Sequence, residues 1–126
     1  MKEKRIKVLK VEPLKKPIVC YLENKLEALQ EAVSIEAEYI GLIEIIELDE
    51  RTCILCNEEG KLIGLMPNRR VGNDIICGVF YVTGQNDEGD LTSLTDEEIR
   101  YYTEMFDGVE YFMQGDNGKI IVLKFI

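Results

Sequence analysis

The chain has 126 residues, 46% of them hydrophobic, a formal net charge of −9, four cysteines and no histidine. That length suffices for one domain that buries roughly two thirds of its unfolded surface without disulfides or metals. No run approaches the ~18 to 20 apolar residues of a membrane helix, and MKEKRIKVLKVEPLKK is too charged for a signal-peptide core, so a cytoplasmic protein is expected.

The charge is uneven: residues 1–25 hold eight Lys/Arg against three acids, and the remainder holds seven against twenty-one. The body therefore repels nucleic acid, since a phosphate-backbone binder needs a basic face. In the N-terminal arm, Lys2, Lys4, Arg5 and Lys7 read as solvated charges on an edge strand that discourage aggregation.

Ile6–Val11 and Ile18–Leu22 are expected to form a hairpin across the turn Pro13–Pro17. A first helix follows through NKLEALQEAV, with Asn24 and Glu27 as a capping pair and Leu26, Leu29 and Val33 at helical spacing. YIGLIEIIEL, Tyr39–Leu48, is apolar at nearly every position and reads as a central strand covered on both faces. Thr52–Cys56 and Lys61–Leu65 are expected to pair across Asn57-Glu58-Glu59-Gly60, with Gly60 in the left-handed position. DIICGVFYVT, Asp74–Thr83, reads as another apolar strand, its Gly78 marking a bulge or a close backbone approach. Gly84–Gly89 is loop. The second helix carries a capping box, Thr95 with Glu98, acids in its first turn and a stripe of Ile99, Tyr102 and Phe106, and it stops at Gly108. Val109–Met113 and Ile120–Phe125 then form a terminal hairpin.

The fold class that emerges is α+β, a single domain over residues 1–126. A mainly antiparallel, twisted sheet of six to eight strands carries two packed helices, in the order ββαββββ, then α and the C-terminal hairpin. A partner subunit is one candidate for the second cover of the sheet.

Cys53 and Cys56 have the two-residue gap of a zinc knuckle. No second close pair and no histidine accompany them, and on a strand residues three apart point to opposite faces. Cys20, Cys53, Cys56 and Cys77 are read as reduced thiols that behave as small apolar residues. No metal, cofactor or EF-hand spacing is expected.

CNEEGKLIGLMPNR (Cys56–Arg69), the strand DIICGVFYVTG and the downstream SLTDEEI together resemble a small uncharacterised family of bacteria, their phages and conjugative elements. The resemblance covers about residues 8–106 and implies a domain of unknown function with no activity to carry over. Met66 stands where a second proline is expected before Pro67, and the hairpin over 109–126 is an addition that either caps a sheet edge or makes an oligomer contact.

Two clusters are candidate ligand or partner sites. Asn68, Arg69 and Arg70 combine the bidentate donors of guanidinium with an amide that both donates and accepts, in a body short of positive charge. The competing role for Arg69 is structural, pairing with a local acid such as Asp74. Asn57, Glu58, Glu59 and Lys61 form a polar turn that backbone geometry already accounts for. No catalytic residue is nominated: the chain lacks histidine, a nucleophile elbow, a phosphate-cradling loop and a dinucleotide fingerprint.

The expected function is a non-catalytic accessory protein, encoded on or near a mobile element, that binds a host protein or a small anionic ligand through the 64–74 loop. An alternative is an acidic DNA mimic built on Glu27, Glu31, Glu36, Glu38, Glu44, Glu47, Asp49 and Glu50. A third is a small enzyme using a cysteine or paired carboxylates.

Overall fold

The structure, a computed structural model, describes residues 3–125. Strands β1 (Arg5–Val11) and β2 (Ile18–Glu23) precede the short helix α1 (Leu26–Ala32). Six strands follow: β3 (Ile43–Glu47), β4 (Thr52–Asn57), β5 (Pro67–Val71), β6 (Asp74–Cys77), β7 (Phe80–Gln85) and β8 (Leu91–Thr92). Helix α2 (Asp96–Phe106) and the hairpin of β9 (Val109–Gln114) and β10 (Ile120–Phe125) complete the order. The α+β class holds: a six-stranded antiparallel sheet runs β2-β1-β7-β4-β3 with β8 on β7, and β5–β6 and β9–β10 are separate two-stranded pairs.

Alternation along the inner strands sorts their side chains into two cores. Leu9, Val11, Ile54, Phe80 and Val82 face α2, where they meet Tyr102 and Phe106. Ile6, Val8, Cys53, Leu55 and Tyr81 face α1, where they meet Leu29 and Val33. Every residue of β4 is buried, because it lies between β3 and β7 and is covered on both faces. Such double cover removes the polar-out positions of a one-sided sheet.

Several expectations give way. The long apolar run Tyr39–Leu48 is strand only over Ile43–Glu47, and it is the sheet's edge rather than its centre. Tyr39, Ile40, Leu42 and Ile45 are exposed. β1 is no edge strand, since β2 and β7 pair with its two sides. Arg5 instead lies over the Tyr21 ring and Lys7 pairs with Asp96, while Lys2 lies outside the described residues. Lys61–Leu65 is a run of tight turns, with Ile63 N–H donating to Glu59 O and Leu65 N–H to Gly60 O. Both sides of β4 are already taken by β3 and β7, so no place remains for a third partner.

Gly60 is not left-handed. A Cβ there would sit 2.7 Å from the carbonyl oxygen of Cys77, so the close approach of that backbone accounts for the glycine. The run Asp74–Thr83 breaks at Gly78, whose φ of 85° turns β6 into β7. Asn24 does not cap α1; its amide donates to the carbonyls of Glu3 and Leu91, tying the helix entry to β8. The capping box of Thr95 and Glu98 on α2 forms as expected, as do the β1–β2 and β9–β10 hairpins.

Candidate functional site

β5 carries the Pro-Asn-Arg-Arg cluster, and a register shift between Pro67 and Arg69 bends it. In a regular strand neighbouring side chains diverge; an extra residue in the ladder lets two successive ones turn the same way. Asn68 and Arg69 are accordingly both buried, at 0% and 1% exposure. Asn68 Nδ2 donates to Val11 O at 2.8 Å and Gly78 O at 2.9 Å. Arg69 donates from Nε to Phe106 O, from Nη1 to Asn68 Oδ1 and Asn68 O, and from Nη2 to Lys15 O and Phe106 O.

A guanidinium has five N–H donors, and all five are spent on the protein itself. Both Asn68 amide hydrogens are spent likewise. The pair closes the C-terminal end of α2 at Phe106 and joins it to the β1–β2 turn at Lys15. Asp74, the acid expected to pair with Arg69, is bonded to Lys61 instead.

Arg70 points outward, and its side chain is 53% exposed. Its backbone N–H donates to Glu110 Oε1 at 2.9 Å, and its Nε reaches the same oxygen at a longer 3.4 Å. Glu110 projects from β9 and is buried, and its cross-strand partner on β10 is Lys124. The Lys124 stem occupies the space a side chain at Gly108 would need, so that glycine lets the terminal hairpin close over the end of α2.

A cleft of about 440 Å³ opens at this junction. Arg70, Lys124, Glu110 and the buried Arg69 form its charged lining, and Leu48, Val71, Met105 and Phe106 are among its apolar walls. Three cations thus face one carboxylate, which is already engaged by Arg70. Gly72, at the tip of the β5–β6 hairpin, has φ 60° and keeps the mouth free of a side chain.

The second expected cluster borders a different, smaller cleft of about 210 Å³. Asn57 is buried: its Oδ1 accepts from Glu59 N–H, and its Nδ2 reaches Ser34 Oγ. Lys61 is ion-paired with Asp74, which holds the Asp74 carboxyl below its ordinary pKa. Glu58 is exposed and lines this cleft, and the side chain of Glu59 is partly buried beside the turn. With Glu44, Glu58 and Asp74 against Lys61, its lining is negative.

The cysteines occupy the strand positions their spacing implied. Cys53 lies in the α1-side core and Cys56 in the α2-side core. Burial pushes the Cys56 thiol up to about 12, with Glu44 adding to the effect, and burial also raises Cys20, Cys53 and Cys77. Thiols so raised carry little thiolate near neutral pH. The eight carboxylates from Glu27 to Glu50 are all exposed, but they do not form one track. Glu44 pairs in register with Cys56 and Glu47 with Cys53, which places them on opposite sheet faces.

Lys124 and Glu110 did not figure among the sequence candidates. The sequence places both on the terminal hairpin, but their facing positions come from its register in the structure, and their nearness to Arg70 from the packing of β9 beside β5.

Among the described residues, no helix is long and apolar enough to cross a membrane. The family model of a domain of unknown function, DUF3846, matches residues 6–107, a span that stops short of β9 and β10. Neither the comparison with curated proteins nor that with solved structures returned a match.

Proposed function

The chain belongs to the DUF3846 family, a domain of unknown function, and from its geometry we propose that it is a binding protein that takes a small organic anion in the cleft between β5, the end of α2 and the terminal hairpin. Arg70 and Lys124 are the ligand's cationic partners, and Asn68 and Arg69 position Arg70 by fixing the bulge before it. The mobile-element setting belongs to the same proposal and rests on the resemblance of Cys56–Arg69.

The observation that carries the reading is the sign of the cleft. In a protein of net charge −9, this lining gathers cations in excess of carboxylates. Arg70 is poorly held by Glu110, so an incoming carboxylate or phosphate can take the free edge of its guanidinium in the bidentate manner that planar group favours. Leu48, Val71 and Met105 offer an apolar wall to the rest of such a ligand.

Phenyl phosphate is a suitable probe, since it joins a phosphate to a flat apolar body. In a titration followed by amide NMR shifts, changes are expected to cluster at residues 70–72, 105–110 and 124. Arg70→Ala should weaken binding by about tenfold or more, the size of one hydrogen bond to a charged group. Shifts scattered over the surface, or an affinity unchanged in the Arg70→Ala, Lys124→Ala double variant, would refute the assignment.

A further inference from the structure

The terminal hairpin has a second face, and the strand register sorts its residues. Val109, Tyr111 and Met113 of β9 stand opposite Phe125, Leu123 and Ile121 of β10, so these six share one face. Glu110 and Lys124 lie on the other, towards the cleft. The six-residue face contains no charged side chain, although 31% of the chain is charged. Five of its members, all but Val109, are between 42% and 55% exposed. The Tyr111 and Phe125 rings pack edge to face at 5.2 Å and border a shallow depression of about 370 Å³.

We propose that this face is a dimer interface, covered by the same face of a second copy of the chain. Two flat apolar sheet faces pack at ~10 Å with their strands nearly aligned, and a two-fold arrangement needs only one self-complementary patch. The open part of the face amounts to about 500 Å² per copy at roughly 200 Å² for each large side chain. Two copies then bury on the order of 1,000 Å², the lower bound for a specific interface.

Charge favours a second copy over a different partner. The patch presents nothing for a charged partner to read, and two such patches meet without bringing like charges together, even though each molecule is strongly acidic. β5 and the end of α2 hold the hairpin by its Glu110 face, which leaves the opposite face open to a second copy. The family match ends at residue 107, so the interface belongs to the part of the chain outside it.

Light scattering coupled to size exclusion, run on the full chain across a dilution series, tests this directly. The expected mass is twice the 14.5 kDa of one chain, falling on dilution. Leu123→Glu and Tyr111→Glu should each weaken the dimer by at least about a hundredfold, since each buries a carboxylate with no partner. Both sites are exposed in the single chain, so far-UV circular dichroism should be unchanged; Met113→Lys serves if either variant unfolds. A wild-type protein with the mass of one chain at every concentration overturns the proposal, as does a dimer that survives these substitutions. Single-chain mass with an apolar dye bound to the wild type and lost in Leu123→Glu would assign the face to a different partner, and so overturn it too. Arg70 and Lys124 lie outside this face, so phenyl phosphate binding is read separately.

Discussion

Arg69 is a buried cation held by carbonyl dipoles rather than by a carboxylate. Burial lowers its pKa from the ordinary arginine value, and the charges of Glu110 and Asp107 act in the opposite direction. What stabilises the charge locally is a ring of oxygens from Phe106, Lys15 and Asn68, each reached by a planar donor fixed in direction. Lysine has three donors on a flexible stem, so it cannot serve the same oxygens and would leave some of them buried without a partner. Arg69→Lys is therefore expected to cost about 2 to 4 kcal/mol. Arg70→Lys, one residue along but half exposed, should stay within about 0.5 kcal/mol of wild type. Urea denaturation of the two variants side by side checks this, and equal losses would refute the division of labour within the pair.

The elements that their own sequences specify are the ones that formed as expected. Hairpins β1–β2 and β9–β10 and the capping box of α2 need only neighbours in the chain, and Thr95→Ala should cost α2 about 1 kcal/mol in a thermal or urea melt. Gly78 is a sharper case. Its φ is 85°, and a Cβ would come within 2.7 Å of Leu65 Cδ1, so Gly78→Ala combines left-handed strain with a displaced side chain. A loss of about 1 to 3 kcal/mol is expected, and a neutral result would mean that the β6–β7 corner is free to rearrange. Non-local pairing was not legible. Nothing in Leu9–Val11 announces Phe80–Val82 as its partner, and apolar content alone placed Tyr39–Leu48 at the centre when the strand order puts its paired part, Ile43–Glu47, at the rim. The site was legible by residue type in the same partial way. The Asn-Arg-Arg cluster stood out as the body's adjacent basic pair, but only the bulge in β5 decides that Asn68 and Arg69 turn inward and leave Arg70 to the cleft.

Over the whole molecule, a few carboxylates tie separate elements together, and they contribute to the acid limb of stability. Asp49 accepts from the backbone N–H groups of Arg51 and Thr52 at the β3–β4 turn, and from the Tyr102 hydroxyl of α2. Burial alone would raise its pKa, but these hydrogen bonds outweigh it and hold the carboxyl below the ordinary 3.8. The Lys61 bond lowers Asp74 as well, and the same bond raises Lys61. For the two aspartates the unfolded chain binds its proton first, so their contribution is whole above the ordinary carboxylate value and is lost as pH falls through the folded one. For Lys61 the order is reversed, and its contribution is lost as pH rises past the ordinary 10.5. The thiols raised by burial lose their protons first in the unfolded chain, so they withdraw stability from their ordinary 9.0 upwards, and stability should hold from about pH 5 to 9 and fall on either side. Protonating the other acids relieves self-repulsion at the same time, so the acid limb has to be read one group at a time. Asp49→Asn keeps an oxygen to accept the two N–H groups but cannot ionise. Its urea midpoint should lie below wild type at neutral pH and converge on it once the pH is well below 3.8, where the wild-type carboxyl is also neutral. Two curves that stay parallel throughout would mean that the charge of Asp49 contributes nothing to joining the β3–β4 turn to α2.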